Sequence, residues 1–94
     1  MSIESLFTPF TVKSLTLQNR IVMAPMTRSF SPDGVPTEDV VAYYRRRAEH
    51  GVGLIVTEGT VVERPAAKND PRVPDFHGAA LPMWGEVVKA VHAK

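Results

Sequence analysis

The sequence predicts an α/β fold built on parallel strands, and three observations carry that assignment. Ile21 to Ala24 and Leu54 to Val56 are short, uniformly apolar runs without alternation, the pattern of strands buried on both faces of a parallel sheet. Each run ends abruptly in a polar tip, Pro25-Met26-Thr27-Arg28 in the first and Thr57-Glu58-Gly59-Thr60 in the second. Between them lies a segment of helical periodicity, so strand, helix and strand form a βαβ unit, expected to be right-handed. Ligands in such folds bind beyond the carboxyl ends of the strands, which places both tips on the face where chemistry would sit.

Phe10-Thr11-Val12 and Leu15-Thr16-Leu17 alternate apolar and polar residues around Lys13-Ser14, predicting a hairpin with one buried face, although the turn lacks Asn-Gly or Asp-Gly chemistry. The hairpin feeds the amino end of the first core strand, opposite the chemical face. Pro25 stops that strand, because it has no N–H to give to a neighbour. The simplest reading of the segment after Pro25 is an ordinary turn in which the Thr27 hydroxyl satisfies a local backbone N–H. Ser31-Pro32-Asp33-Gly34-Val35-Pro36 predicts a loop. Thr37 then has N-cap character, with Glu38 and Asp39 in the first turn, where the macrodipole favours negative charge. This helix should run to about Glu49, laying Val41, Tyr44 and Ala48, with Val40 beside them, onto the sheet. Gly51 suits the position just past its end.

From Val61 to Pro82 four prolines interrupt any periodicity, predicting a long loop over the same face as Thr27, functional or mobile. His77 within it could touch a ligand or could be a plain surface histidine. Trp84, Val87, Val88 and Val91 recur at i, i+3, i+4 and i+7 and predict a final helix, with Glu86 and Lys89 on its other side. Two parallel strands leave edges and apolar faces uncovered, so the chain cannot close a barrel alone.

Composition excludes more than it assigns. With 94 residues, 44% hydrophobic and 22% charged, the chain allows at most one small domain of ordinary globular character. A net charge of +1 argues for no polyanionic partner, and no nucleic acid is expected. The triplet Arg45-Arg46-Arg47 does not change this, because consecutive helical positions point around most of the circumference and form no single patch. It suits a solvated, ion-paired last turn. Without cysteine there is no disulfide, thiolate nucleophile or thiolate metal site, and His50, His77 and His92 lack ligand spacing. No run approaches membrane-spanning length and the first residues carry no leader pattern, so no membrane partner and a cytoplasmic location are expected.

Taken in order, Ile21-Val22-Met23-Ala24-Pro25-Met26-Thr27-Arg28, Tyr43-Tyr44-Arg45-Arg46-Arg47-Ala48 and Gly53-Leu54-Ile55-Val56-Thr57-Glu58-Gly59 resemble the N-terminal part of the Old Yellow Enzyme family, FMN-dependent ene-reductases on a (β/α)8 TIM barrel. The match runs from about Leu6 to the C-terminus, nearly all of this chain but only about the first quarter of a family member. The resemblance implies an N-terminal hairpin (6–20) capping the barrel bottom and the first two βα units (21–94), incomplete here. It implies FMN as cofactor and NAD(P)H as reductant, with Ala24, Pro25, Met26 and Thr27 contacting the flavin and Thr27 hydrogen-bonding near its C4 carbonyl and N5. Gly59 matches a position where the family keeps a small residue against the ring. Ser29 matches a substrate-facing position, though its side chain is small, and Arg28 reads as structural and ion-paired.

The family's substrate-anchoring pair, proton-donating tyrosine and phosphate-gripping residues belong to later strands, so no catalytic residue is expected within this chain. Gly51-Val52-Gly53 precedes a strand and is no substitute phosphate loop. The resemblance therefore implies the N-terminal portion of an oxidoreductase that reduces activated C=C bonds, such as those of α,β-unsaturated carbonyls. Partners would be the remainder of the barrel or other copies of the chain, and a homo-oligomer is expected. The alternatives are a non-catalytic barrel fragment or assembly module that cannot bind FMN by itself, and an unrelated TIM-barrel enzyme such as an aldolase or isomerase.

Overall fold

The computed structural model describes residues 3–94 as an α/β chain of two small sheets and two helices. A 3-10 turn over Ile3–Phe7 leads into an antiparallel hairpin of β1 (Phe10–Val12) and β2 (Leu15–Leu17), with Thr11 opposite Thr16 and their hydroxyls 3.1 Å apart. The hairpin forms as expected, and Lys13 makes its turn at a φ of +52°. Its expected buried face is a correction: Phe10, Val12 and Leu15 are all exposed, because no helix or further strand of the described residues covers them. Arg20 ties the hairpin's base together, its guanidinium donating to Thr8 Oγ1 (3.0 Å) and the Pro9 carbonyl (3.2 Å) and stacking over the Phe10 ring.

The core strands pair in parallel: β3 (Val22–Met23) lies beside β4 (Leu54–Ile55), Val22 against Leu54 and Met23 against Ile55. Burial on both faces does not hold here either. Val22 is 51% exposed while Met23 and Ile55 are half-buried, because helices cover one face and no element of the described residues covers the other.

The buried Asn19 side chain clasps the two strands at their amino ends. It donates to the Gly51 carbonyl and accepts the Ile21 N–H at 3.0 Å. Gly53 is the residue that permits this approach, since a Cβ there would collide with Asn19 Oδ1 and sit 2.9 Å from the Asn19 carbonyl oxygen.

Helix α1 (Glu38–Glu49) starts at Thr37 and is followed by His50 and Gly51, the glycine at a φ of +98°. Thr37 stands at the N-cap position without a side-chain capping bond. Val40, Val41, Tyr44 and Ala48 are buried, as the periodicity predicts, but the stripe meets α2 (Ala80–His92) as well as the sheet. The core consists of Val40, Val41 and Tyr44 against Ala80, Trp84 and Val87, with Met23 and Ile55 beneath. Val88 faces solvent at 50% exposure, so the second stripe is narrower than its spacing suggested. Helix α2 also begins before Pro82, which sits in the first turn, where a missing N–H costs no helical bond.

The Pro-rich connection is stitched rather than loose. Val61 bridges Asp75, the Val61 N–H meets the Pro74 carbonyl, and the Phe76 N–H meets the Val61 carbonyl. The Asp75 N–H reaches the Gly34 carbonyl at 2.8 Å, and Trp84 Nε1 donates to the Asp75 carbonyl at 2.9 Å. Gly34 has a φ of +77°, and a Cβ on it would lie 2.5 Å from Lys68 Nζ and 2.6 Å from Asp75 Oδ2. Among the described residues no helix is long and apolar enough to cross a membrane.

Candidate functional site

The two polar tips meet. Parallel pairing of β3 and β4 brings the segment after Met23 and the segment after Ile55 to the same end of the sheet, so Thr27 and Gly59 become neighbours. A Cβ built on Gly59 would stand 3.7 Å from Thr27 Oγ1, with no other atom of the described residues within 4 Å apart from its own chain neighbours. Ala24, Pro25, Met26, Thr27 and Gly59 are all exposed, forming one open strip of small and apolar surface with a single hydroxyl on it. Thr27 makes no side-chain hydrogen bond among the described residues, so the local-turn role for its hydroxyl is not realised.

Beneath the strip lies a second cluster, buried and polar. Glu58, 2% exposed, accepts a hydrogen bond on Oε2 from the Tyr44 hydroxyl at 2.8 Å, and its own N–H donates back to the same phenol oxygen at 2.9 Å. Burial pushes the Tyr44 hydroxyl well above its ordinary pKa of 10.0, so the phenol stays protonated and remains a donor. Arg28 Nη1 faces Glu58 Oε2 at 3.8 Å, and the guanidinium lies 3.6 Å from the centroid of the Tyr43 ring and 5.3 Å from that of Phe30. Arg28 is thus ion-paired and structural, as the sequence suggests. Arg47 covers the same Tyr43 ring at 3.7 Å and donates to the Tyr43 carbonyl, so one member of the basic triplet is stacked on an aromatic rather than spread in solvent.

Sequence reasoning missed Glu58 and the polar role of Tyr44. A signal existed: two apolar runs ending in a similar way each carry one charged residue immediately beside the expected ligand-contact residue, an arginine on one tip and a carboxylate on the other. Charges of opposite sign on adjacent strand ends, with a tyrosine on the covering helix, are the components of a buried pair.

Ser29 goes elsewhere. At a φ of +53° it turns the chain away from the strip toward the loop, where its hydroxyl interacts with Asp70, and it lines a shallow cleft of about 420 Å³ with Phe30, Pro32, Thr37, Asp39 and Arg72. The Arg72 backbone N–H, at 2.9 Å, and then its guanidinium hold the Asp70 carboxyl below the usual range. His77 borders a larger open cleft of about 590 Å³ between the two arms of the loop, 3.8 Å from Asp75 Oδ1, while Lys68 Nζ lies 2.7 Å from the same oxygen. Within that cleft Lys68 and His77 both face Asp75, while Glu63 and Arg64 carry no ion pair among the described residues.

The strip fits a flat ring. A planar cofactor laid across the strand tips would meet no side chain at Gly59, apolar atoms at Ala24, Pro25 and Met26, and one free hydroxyl at Thr27. Nothing in the described residues is shaped to hold a phosphate beside it.

The sequence pattern of the NADH:flavin oxidoreductase / NADH oxidase family matches residues 5–94. The chain is 42% identical over 90 residues to 12-oxophytodienoate reductase 7 of Oryza sativa subsp. japonica, covering 95% of this chain and 22% of that protein. It is equally identical, over 97 residues, to a probable inactive reductase of Epichloe festucae var. lolii, of which it covers 25%. Among solved structures, morphinone reductase in complex with tetrahydroNAD superimposes with a TM-score of 0.83 at 43% identity, over 95% of this chain and 24% of that one. Old Yellow Enzyme from Pichia sp. AKU4542 gives 0.86 at 33% identity, over 96% of this chain and 24% of that one. The chain therefore spans about a quarter of the length of the proteins it matches.

Proposed function

The chain belongs to the NADH:flavin oxidoreductase / NADH oxidase family, and on that premise we propose that it is the N-terminal portion of an FMN-dependent enzyme that reduces activated C=C bonds with NAD(P)H. The family is one of oxidoreductases with an FMN cofactor and a nicotinamide reductant, and this chain has the fold of the N-terminal hairpin and first two βα units of their TIM barrel. Within that barrel, residues 6–20 would close the bottom and 21–94 would supply the first strands of the FMN face.

The observation that carries the proposal is the meeting of Thr27 and Gly59 on an exposed strip at the strand tips. FMN bound there supplies hydride acceptance and donation at N5. Ala24, Pro25 and Met26 offer apolar contact to one part of the ring, and Gly59 leaves room for it. Thr27 would offer its hydroxyl proton to the edge of the ring that gains negative charge on reduction, and such a donor would favour the reduced ring. Substrate anchoring and protonation fall to residues outside this chain.

The test is a complete barrel in which this chain replaces the corresponding N-terminal quarter of morphinone reductase. It should retain FMN one-to-one and oxidise NAD(P)H in the presence of an enone. Purification of a folded barrel free of flavin would overturn the proposal.

A second reading has its own support. Val22, Leu54 and Val56 lie exposed where further strands would pack, and the chain is as identical to the probable inactive reductase as to 12-oxophytodienoate reductase 7, 42% in each case. The 94 residues alone would then be a non-catalytic fragment that binds no FMN. Submicromolar one-to-one binding of FMN to the 94 residues, read by isothermal titration, would overturn this second reading.

A further inference from the structure

We propose that Tyr44 is a positioning residue: by clamping Glu58 at both its carboxylate and its backbone N–H, and with Arg28 held beside that carboxylate, it sets the spacing of Thr27 and Gly59 across the strand tips. The proposal rests on the flavin-contact role given above to Thr27 and Gly59.

The connectivity is short. Arg28 follows Thr27, Glu58 precedes Gly59, and the two inward residues face each other at 3.8 Å beneath the two outward ones. Each strand tip therefore has one residue on the open strip and one in the buried cluster. The phenol oxygen of Tyr44 contacts Glu58 twice, as donor to Oε2 and as acceptor from the amide, which fixes the side chain and the peptide plane entering Gly59 together. A single bond would leave the peptide free to rotate about the side chain; two bonds to one atom do not. On the other tip, the Arg28 guanidinium lies 3.6 Å from the centroid of the Tyr43 ring and 5.3 Å from that of Phe30. Tyr43 and Tyr44 meet edge to face with centroids 5.2 Å apart, so both tips are referenced to the same turn of α1.

Arg28 Nη1 and Glu58 Oε1 have no hydrogen-bond partner among the described residues. The 3.8 Å separation leaves the ion pair without a direct hydrogen bond, whereas the phenol bonds are short, so Tyr44 is the tighter constraint. Because Tyr44→Phe changes no charge, its effect on a flavin would come through geometry alone.

The experiment uses the flavin-loaded chimeric barrel and compares parent, Tyr44→Phe, Thr27→Val and the double variant by spectroelectrochemical titration. Tyr44→Phe should weaken the preference for reduced over oxidised FMN about tenfold, which is a fall of about 30 mV for a two-electron couple. In the Thr27→Val background the same change should have no further effect on the potential, because the phenol acts through the hydroxyl that is already gone. If Tyr44→Phe does not retain flavin, Arg28→Lys takes its place, keeping the charge while losing the planar stack, with the same expected direction and the same dependence on Thr27. A lowered melting temperature with an unchanged potential would reduce Tyr44 to a packing residue and overturn the proposal. So would an equal shift in both backgrounds. A folded parent barrel without flavin overturns the functional reading itself, and this proposal with it.

Discussion

At the scale of single residues, two glycines and a threonine make opposite predictions. Gly53 and Gly59 flank the same short strand, but a Cβ on Gly53 would strike the Asn19 clasp, while one on Gly59 meets only Thr27 Oγ1 at an ordinary 3.7 Å. Gly53→Ala should therefore destabilise the fold by about 1–3 kcal/mol, read as an earlier thermal transition in a complete barrel. Gly59→Ala should leave that transition in place and weaken FMN binding about tenfold, the equivalent of about 1.4 kcal/mol, read by fluorescence titration. Equal effects of the two changes on both measurements would show that Gly59 has no ligand to accommodate. Thr27→Val keeps the shape and removes a hydroxyl that has no partner among the described residues. Loss of a hydrogen bond to a charging ring should cost about 1.5 kcal/mol of preference for reduced flavin, close to about 30 mV, and should slow reduction by NAD(P)H more than reoxidation by an enone. Stopped-flow rates for the two half-reactions check this, and unchanged rates with an unchanged potential would leave Thr27 without a role at the ring.

Among the elements, the loop between β4 and α2 carries a pH dependence with a definite sign. Asp70 is held below its ordinary 3.8 first by the Arg72 backbone N–H and then by its side chain, and the Arg72 carbonyl in turn receives the Ser31 N–H at 3.0 Å. A carboxyl depressed in the folded state contributes stability that is complete above its unfolded value and is lost as pH falls through its folded one. Acidification below about pH 4 should therefore progressively release the turn at Arg72, and Asp70→Asn should remove that dependence. Amide exchange at Arg72 followed against pH is the measurement, and protection that persists with protonated Asp70 would assign the turn to its backbone alone. The elements themselves are legible in the sequence wherever a local pattern is enough: the hairpin from alternation, α1 from its stripe and its following glycine, the parallel pair from two apolar runs. Illegible is whatever depends on contacts between distant residues. The loop's stitching through Val61, Asp75 and Gly34 leaves no periodicity, and the start of α2 lies behind a proline that reads as a stop but occupies a first-turn position. The site is half legible for the same reason. Thr27 and Gly59 stand out as strand ends, while the Glu58 and Tyr44 pair requires knowing that α1 lies across both tips.

For the whole molecule, shape and surface agree. The radius of gyration is 15.1 Å, against about 12 Å for a compact domain of this length, and the chain extends 46 Å in one direction and 24 Å in the others. Phe7, Phe10, Val12, Leu15, Val22 and Val56 are exposed along it. We expect the isolated 94 residues to associate rather than to unfold cooperatively as a monomer, and size-exclusion chromatography with light scattering decides it. A monodisperse monomer with a sharp thermal transition would contradict that expectation. The placement of the apolar core between α1 and α2 has a further consequence, for synthesis on the ribosome. Every buried residue of that core lies between Val40 and Val87, so the two helices can dock while any later strands of a barrel are still untranslated. At roughly 5–20 residues per second the segment is made in seconds. The helical side of the unit then becomes a settled platform early, and the open strand edges are what a nascent chain must shield until their neighbours emerge.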